Sequence, residues 1–268
     1  MPRVHHSAIV SGTAQLTSDA TVGPYAVIDG PVTIGPGCVI RAHAHLIGPL
    51  VLGAGNDVGT GCVLGDRPQH LAHNNEESPV LIGDGNTFRE HVTVHRGMRG
   101  AGTVIGHRNY FMAGSHVGHD CTVGDHNVLA NAALLGGHVV LGNRTFLSGH
   151  TAVHQHVHIG DVAMLGGMAA VSQDVPPYWL MMNGVNRVSG INRVGMRRAG
   201  LSEPDIRAVR AAFKLIYREK VPISRAVLMM EAEWGSSDAV RELAAFIRRS
   251  GRGIPGAVRY TGLASEAA

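Results

Sequence analysis

The chain has 268 residues, 44% of them hydrophobic but only 4% aromatic, and a formal net charge of +3. This length fits one large domain, or one domain with an appendage. The N-terminus has no apolar signal-peptide core and the chain has no run long enough to span a bilayer, so we expect a cytoplasmic protein without stable membrane insertion. The mild positive charge suits an acidic or phosphate-bearing partner and does not by itself indicate nucleic-acid binding.

A six-residue repeat of aliphatic or aromatic residues runs through most of the chain. The repeat positions are Val10, Leu16, Val22, Ile28, Ile34, Ile40, Leu46, Leu52, Val58, Leu64, then Ile82, Phe88, Val94, and then Ile105, Phe111, Val117, Val123, Leu129, Leu135, Leu141, Leu147, Val153, Ile159, Leu165 and Val171. This period fits neither an amphipathic helix nor an alternating strand. It is typical of a hexapeptide β-helix, a narrow prism with little room for aromatic rings.

Two polar segments interrupt the repeat. The first covers residues 65–80 and the second covers residues 95–102. Both are expected to leave the prism as loops, where binding groups are often placed. Cys38, Cys62 and Cys121 each stand two residues before a repeat position, so we predict buried thiols that pack in a reducing compartment, and neither disulfides nor nucleophiles.

Beyond the repeat the pattern becomes helical. Pro176 and Pro177 are predicted to stop strand pairing, and a connector is expected to reach about Gly200. Ser202 followed by Asp205 resembles a capping box. An apolar stripe follows, and further helices are predicted near 222–234 and 237–249, with the last fifteen or so residues frayed. We therefore divide the chain into a β-helix domain, residues 1–187, and a helical domain, residues 188–268.

Several strings resemble one family over nearly the whole chain. They are IGDGNTFREHVTVHRG, SHVGHDCTVGDHNVLANAALLGGHV, AVHQHVHIG, VSQDVPPY and RAAFKLIYR. Together they are similar to the bacterial UDP-N-acetylglucosamine O-acyltransferases that begin lipid A biosynthesis. The resemblance implies a mainly β protein: a left-handed parallel β-helix with three hexads per coil and a small C-terminal α-helical domain. It also implies a homotrimer with active sites between subunits.

The same resemblance implies a reaction. The family transfers a 3-hydroxyacyl chain from acyl carrier protein to the 3-hydroxyl of the nucleotide sugar. The carrier thioester is a co-substrate, and no cofactor or metal is expected. Asn192 and Arg198 match positions that contact the nucleotide and its phosphates, and Gly167 matches the far end of the acyl groove.

With three hexads per coil, residues eighteen apart stack on adjacent strands about 4.8 Å apart. His119 then lies beside Gly137, His138 beside Asp120, and His154 beside Gly136. A neutral imidazole suits the general base that acyl transfer needs, and a glycine next to it opens a route to a backbone N–H for the oxyanion. His119 and Gly137 are predicted in these roles.

The resemblance gives Asp120 the role of orienting His119, as a third catalytic residue. Side chains of sequence neighbours point to opposite faces of an ideal strand, so this contact requires a corner or a bulge. Further matches to acceptor-binding or cleft positions are His95, His116, His138, His154 and Gln155. The simpler interpretation of such histidines is that each is a hydrogen-bonded residue on a solvated face. The simpler interpretation of Arg198 is that it belongs to a solvated basic patch before a helix.

The chain departs from the family pattern at four polar contacts. The family usually has PQDLK where this chain has PQHLAH, so His70 and Ala72 replace an aspartate and a lysine that reach the acceptor sugar. Val194 and Ala199 replace an acidic residue and a second arginine near the nucleotide. Each lost hydrogen bond is worth about 0.5–1.5 kcal/mol. One hypothesis is therefore that the true acceptor is a modified sugar, such as one with a 3-amino group.

Three alternatives belong to other classes. One is a metal-dependent hydratase on the same solenoid, like the γ-class carbonic anhydrases, suggested by His154, His156 and His158 but lacking the His-x-x-x-x-His spacing. Another is a non-catalytic paralogue that binds carrier protein or a nucleotide. The third is acyl or acetyl transfer to a different nucleotide sugar.

Overall fold

The computed structural model describes residues 1–74 and 76–257, so most of the segment predicted to be frayed lies outside the described residues. Short strands wind into a parallel β-helix in which every third strand pairs. Val4 pairs with Val22, and Val117 pairs with Leu135. This register of eighteen residues confirms three hexads per coil.

The described strands form three sheets. The first sheet contains Arg3–Val4, Thr21–Val22, Val39–Ile40, Asp57–Val58, Thr87–Phe88, Tyr110–Phe111, Val128–Leu129, Phe146–Leu147, Met164–Leu165, Trp179–Met181, Arg187–Ile191 and Gly256–Ala257. The second contains Ile9–Val10, Val27–Asp29, His45–Ile47, Val63–Asp66, Thr93–His95, His116–Val117, Leu134–Leu135, Ala152–Val153, Ala169–Val171 and Gly184–Val185. The third contains Gln15–Leu16, Val32–Ile34, Leu50–Leu52, Val80–Ile82, Thr103–Ile105, Thr122–Val123, Val140–Leu141 and His158–Ile159.

The repeat residues form the core of the prism. From Val22 to Val171 all of them are buried, and the rings of Phe88 and Phe111 stack in adjacent coils at 4.8 Å. The three cysteines are buried and free, as predicted. Burial raises the pKa of the Cys62 thiol to about 11, which keeps it protonated and unreactive.

The corners of the prism explain part of the unusual histidine content. The third residue after a repeat position often has a positive φ, as at Asp120 (58°) and His138 (59°). Asp, Asn and His tolerate this left-handed conformation better than most non-glycine residues. Histidine fills the same corner slot at His43, His91, His126, His138, His150 and His156. Many of the histidines are therefore explained by backbone geometry.

A buried asparagine ladder holds one corner of successive coils together. The side-chain oxygen of Asn56 accepts the backbone N–H of Asn86 at 2.9 Å, and Asn86 does the same for Asn109. Asn109 then accepts from Asn127, and Asn127 accepts from Thr145. Each oxygen satisfies a buried N–H that the turn leaves free.

The two predicted loops leave the prism where the repeat is interrupted. Leu64 pairs with Val94, and Val94 pairs with Val117, so these coils are longer than the eighteen-residue standard. Residues 67–79 and 96–102 contain no strand in the described part of the chain. Both loops lie beside the second sheet, which places them near His119.

The prediction that Pro176 and Pro177 end the strand pairing is wrong. Leu165 pairs with Met181 and Ala170 pairs with Val185, so another partial coil follows the prolines. The prolines lie in a turn between strands, where no ladder N–H is needed. The buried Trp179 closes this end of the prism. Strand Arg187–Ile191 crosses the predicted domain boundary, and the division itself stays a prediction.

The helices of the described chain are α1 (Arg193–Arg198), α2 (Glu203–Tyr217), α3 (Ile223–Trp234) and α4 (Asp238–Arg249). Helix α1 was not predicted from the sequence, because it is too short to show a periodic pattern. Ser202 caps α2 by accepting the Asp205 N–H, and the apolar stripe of α2 is buried, as predicted. The Tyr178 hydroxyl donates to Glu242, which joins the prism to α4. No described helix is long and apolar enough to cross a membrane.

Candidate active site

A histidine–aspartate pair lies at the corner between the second and third sheets. Nδ1 of His119 is 2.7 Å from Oδ2 of Asp120, and the His119 residue is 7% exposed. The contact between sequence neighbours exists because Asp120 occupies the left-handed corner slot, which turns its side chain to the same side. The corner that a contact between His119 and Asp120 requires is therefore present.

The second loop holds the Asp120 carboxylate from the other side. The backbone N–H of Met98 donates to Oδ2 at 2.9 Å. A Cβ on Gly97 would lie 2.5 Å from Oδ1, so glycine is needed for this close approach. The Met98 N–H fixes the carboxylate in a position to orient His119, because an imidazole that donates Nδ1–H to it presents the lone pair of Nε2 to the cleft.

Gly137 lies directly beside the imidazole of His119, as predicted from the register. A Cβ on Gly137 would be 2.5 Å from Nε2 and 2.6 Å from Cε1. The absence of a side chain is therefore what gives Nε2 its space. Nε2 has no hydrogen-bond partner among residues 1–74 and 76–257.

His138 and His156 continue the site along the next two coils. Nε2 of His138 is 3.6 Å from Oδ2 of Asp120, and its ring stacks on His156 at 4.4 Å. Burial lowers the pKa of His138, and Asp120 partly opposes this. His156 is not among the site residues predicted from the sequence, although its spacing of eighteen residues from His138 is a sufficient signal.

His95 and His116 form a second pair, in which His116 lies in the same coil as His119 and His95 lies one coil before it. Their rings meet edge to face at 4.9 Å, and Nδ1 of His116 is 2.8 Å from the Thr93 hydroxyl. Burial lowers the pKa of His95 and lowers that of His116 to about 4, so both rings are neutral at pH 7. Nδ1 of His95 is buried without a hydrogen-bond partner in the described chain.

The first loop closes a cleft of about 360 Å³ over the histidine–aspartate pair. The His70 ring is perpendicular to that of His119, with centroids 5.5 Å apart. Nδ1 of His70 accepts the N–H of Ala72 at 3.1 Å, so the neutral ring carries its proton on Nε2. Asn74, Glu76 and Arg99 complete the wall.

His154, Gln155 and Gly167 lie further along the prism. Nδ1 of His154 is 3.1 Å from the Gln155 carbonyl, and both side chains are exposed. A Cβ on Gly136 would be 2.8 Å from the Gln155 N, so glycine is required there as well. A Cβ on Gly167 would meet nothing closer than 3.6 Å, so a side chain at this position projects into open space.

Asn192 and Arg198 do not reach His119 within one chain. They line a separate cavity of about 500 Å³ on the first sheet, together with Val194 and Ala199. The Asn192 side chain caps α1 by accepting the Gly195 N–H at 2.9 Å and donates to the Val162 carbonyl. Asn192 therefore has a structural role as the N-cap of α1. The Arg198 side chain is exposed to solvent.

One group of side chains has the spacing of a metal site. The ligand atoms of His119, Asp120 and His138 lie within 4.8 Å of one another. The His154, His156 and His158 set proposed for a hydratase does not share one face, because His156 has a positive φ of 62°. The hydrogen bond between His119 and Asp120 gives the first group a sufficient structural explanation without an ion.

A histidine–aspartate pair at a coil corner of a hexapeptide β-helix is compatible with acyl transfer, and two family profiles identify the class of protein as a transferase. A family profile described as "Bacterial transferase hexapeptide (six repeats)" matches residues 14–48 and 102–137. One described as "Udp N-acetylglucosamine O-acyltransferase; Domain 2" matches residues 174–255.

Named relatives cover nearly the whole chain. An acyl-[acyl-carrier-protein]–UDP-N-acetylglucosamine O-acyltransferase of Syntrophobacter fumaroxidans is 39% identical over 94% of this chain and 99% of its own length. One of Anaeromyxobacter dehalogenans is 39% identical over 94% and 98%. The solved UDP-N-acetylglucosamine O-acyltransferase of Moraxella catarrhalis has a TM-score of 0.91 at 33% identity, covering 94% of this chain and 99% of that one. The chain belongs to the UDP-N-acetylglucosamine O-acyltransferase family, and its fold is the left-handed parallel β-helix with a C-terminal helical part.

Proposed function

We propose that this enzyme transfers a (3-hydroxy)acyl chain from acyl carrier protein to the 3-hydroxyl of UDP-N-acetylglucosamine, as the first step of lipid A biosynthesis. The observation that carries the proposal is the His119–Asp120 pair beside Gly137, in a chain that a relative named for this reaction matches over 94% of its length. We place the reaction in the cytoplasm and in a homotrimer.

His119 acts as the general base. With Nδ1–H donated to Asp120, the Nε2 lone pair takes the proton of the sugar 3-hydroxyl while the oxygen attacks the thioester carbonyl carbon. A C–O bond forms and the carbonyl electrons move to oxygen. When the C–S bond breaks, the protonated His119 returns its proton to the sulfur, which leaves as the carrier thiol.

Gly137 supplies the oxyanion donor. The tetrahedral intermediate carries negative charge on the former carbonyl oxygen, and a fixed backbone N–H stabilises this charge without reorganisation. Because Gly137 lacks a side chain, the intermediate can approach its backbone next to His119.

The remaining histidines bind the acceptor as neutral rings. Burial lowers the pKa of His95, His116 and His138, so at pH 7 they offer hydrogen bonds to hydroxyl and amide groups and no positive charge. His154 and Gln155 extend this polar strip, and Gly167 leaves room for the acyl chain. Asn192 and Arg198 contact the nucleotide from a neighbouring subunit.

The test is an acyl transfer assay with purified protein, a panel of 3-hydroxyacyl carrier proteins, and UDP-N-acetylglucosamine, with product mass as the readout. We expect acylated sugar nucleotide from wild type and none above background from His119→Ala. Absence of product with every donor would overturn the proposed reaction. Light scattering of the same preparation tests the trimer.

A second candidate is a 3-amino nucleotide sugar as acceptor. His70 and Ala72 stand on the cleft wall where the family usually has an aspartate and a lysine, so an anionic contact to the acceptor is missing. The His70 ring presents Nε2–H as a donor, which suits a hydroxyl or a neutral amine. A competition between the 3-hydroxy and 3-amino acceptors separates the two, and a clear preference for the standard sugar excludes this candidate.

A further inference from the structure

The segment after α4 returns to the β-helix and is tied to its last complete coil. Oδ2 of Asp174 accepts the Ser250 hydroxyl at 2.8 Å and the Arg252 N–H at 3.3 Å. Its backbone N–H donates to the Gly253 carbonyl at 2.9 Å. Asp174 is 2% exposed, and Oδ1 accepts the N–H of His158. A buried carboxylate saturated in this way fixes the position of residues 250–253.

This attachment places the guanidinium of Arg252 beside His154, one of the residues predicted to bind the acceptor sugar. Nε donates to the Ser172 carbonyl at 2.9 Å, and Nη2 lies 3.4 Å from Nδ1 of His154. The Arg252 guanidinium forms no ion pair within the described residues, and the nearby Asp174 oxygens accept from the Ser250 hydroxyl and the His158 N–H. One edge of the guanidinium is anchored, and the other donates to no carboxylate within the described residues.

The position along the prism fits an anionic part of a substrate. His154 lies one coil beyond Gly136, and Gly136 lies in the coil next to His119, so the coil of His154 is about 10 Å from that of His119 at about 4.8 Å per coil, and Arg252 lies beside it. Both co-substrates of the proposed reaction carry phosphate: the nucleotide sugar has a diphosphate, and the prosthetic arm of the carrier has a phosphodiester.

Resting on the proposed function, we infer that Arg252 is a positioning residue that binds a phosphate group of a co-substrate beside His154. The guanidinium fork suits phosphate oxygens through paired, charge-assisted hydrogen bonds. The nucleotide diphosphate is the favoured source, because it is attached only two ring carbons from the reacting hydroxyl. The phosphate of the carrier arm is separated from its sulfur by the whole pantetheine chain.

The test compares wild type with Arg252→Ala, Arg252→Lys and the control Arg225→Ala. Arg225 is exposed on α3 and forms no hydrogen bond or ion pair within the described chain, so its removal deletes the same charge elsewhere. KM is measured separately for UDP-N-acetylglucosamine and for 3-hydroxyacyl carrier protein, together with kcat and Tm. Binding of UDP alone is measured by calorimetry, which does not depend on turnover.

For Arg252→Ala we expect a KM for the nucleotide sugar raised about tenfold or more, weaker UDP binding, and a kcat within about twofold of wild type. Arg252→Lys recovers part of the loss, and Arg225→Ala resembles wild type. A rise confined to the carrier KM supports the same site with the other phosphate as its ligand. Unchanged KM values, or equal rises in both with a lowered Tm, overturn the inference in favour of a structural role. A wild type without turnover refutes the proposed function, whereas the UDP measurement still tests Arg252.

Discussion

Substituting Gly137 by alanine tests the geometry of the proposed active site most directly. The new Cβ would lie 2.5 Å from Nε2 of His119, whereas ordinary contact begins at 3.4 Å. Asp120 anchors the other side of the ring at 2.7 Å, so the imidazole has to move by roughly 1 Å against its hydrogen bond. A displacement of this size costs about 10²-fold in rate, or about 2.7 kcal/mol of transition-state stabilisation.

The matched control is Gly12→Ala. Gly12 occupies the same position in its hexad, two residues after Val10, and a Cβ there meets nothing within 4 Å. We expect kcat to fall about 100-fold in Gly137→Ala and to stay at the wild-type value in Gly12→Ala, with both proteins folded by circular dichroism. A folded Gly137→Ala protein with kcat within threefold of wild type would refute the proposed arrangement of base and oxyanion donor.

Three further predictions concern the base, the pH response and the fold. His119→Ala is expected to abolish turnover while leaving Tm nearly unchanged, since the ring lies outside the aliphatic core; equal loss of Tm and activity would contradict this. His116 has a pKa of about 4 when folded and an ordinary value when unfolded. Its contribution to the free energy of unfolding is therefore complete above about pH 6.5 and falls by up to about 3 kcal/mol as the pH drops towards 4. Urea unfolding of wild type and His116→Gln at pH 7 and pH 4.5 checks this, and an equal change of stability with pH in both proteins would oppose it. Asn86→Ala should cost about 1–3 kcal/mol, because it leaves the buried Asn109 N–H without an acceptor, as measured by urea unfolding beside the exposed Arg225→Ala.

The parts of the site that depend on coil register could be predicted from the sequence. Residues eighteen apart must stack in a three-hexad prism, so the neighbours of His119 and Asp120 followed from arithmetic once the period was known. The same arithmetic places His156 next to His138, a contact that the sequence prediction lacks because it treats His156 only as part of a metal set. The positive φ at His156 shows why simple strand alternation does not apply at a corner.

The parts that depend on the loops could not be predicted. Neither the Met98 N–H on Asp120 nor the perpendicular His70 ring follows from the hexad period, because residues 67–79 and 96–102 leave the repeat. The prolines were misread for a related reason: a proline opposes a ladder but not a turn, and the sequence does not show which of the two a given residue occupies. Arg252 lies in a segment without periodicity, and only the hydrogen bonds of Asp174 bring it to His154.

The two clefts lie on different sides of the prism, so they serve one substrate only if copies of the chain assemble. His119 lies at the corner between the second and third sheets, and in a three-sided prism this corner is opposite the first sheet. Asn192 and Arg198 line the cavity on that first sheet, with the buried core between them and the catalytic pair. If all of these residues bind one nucleotide sugar, those on the first sheet must come from another copy of the chain. The trimer prediction therefore depends on the prediction that Asn192 and Arg198 bind the nucleotide. A monomer with full activity would remove the basis for both.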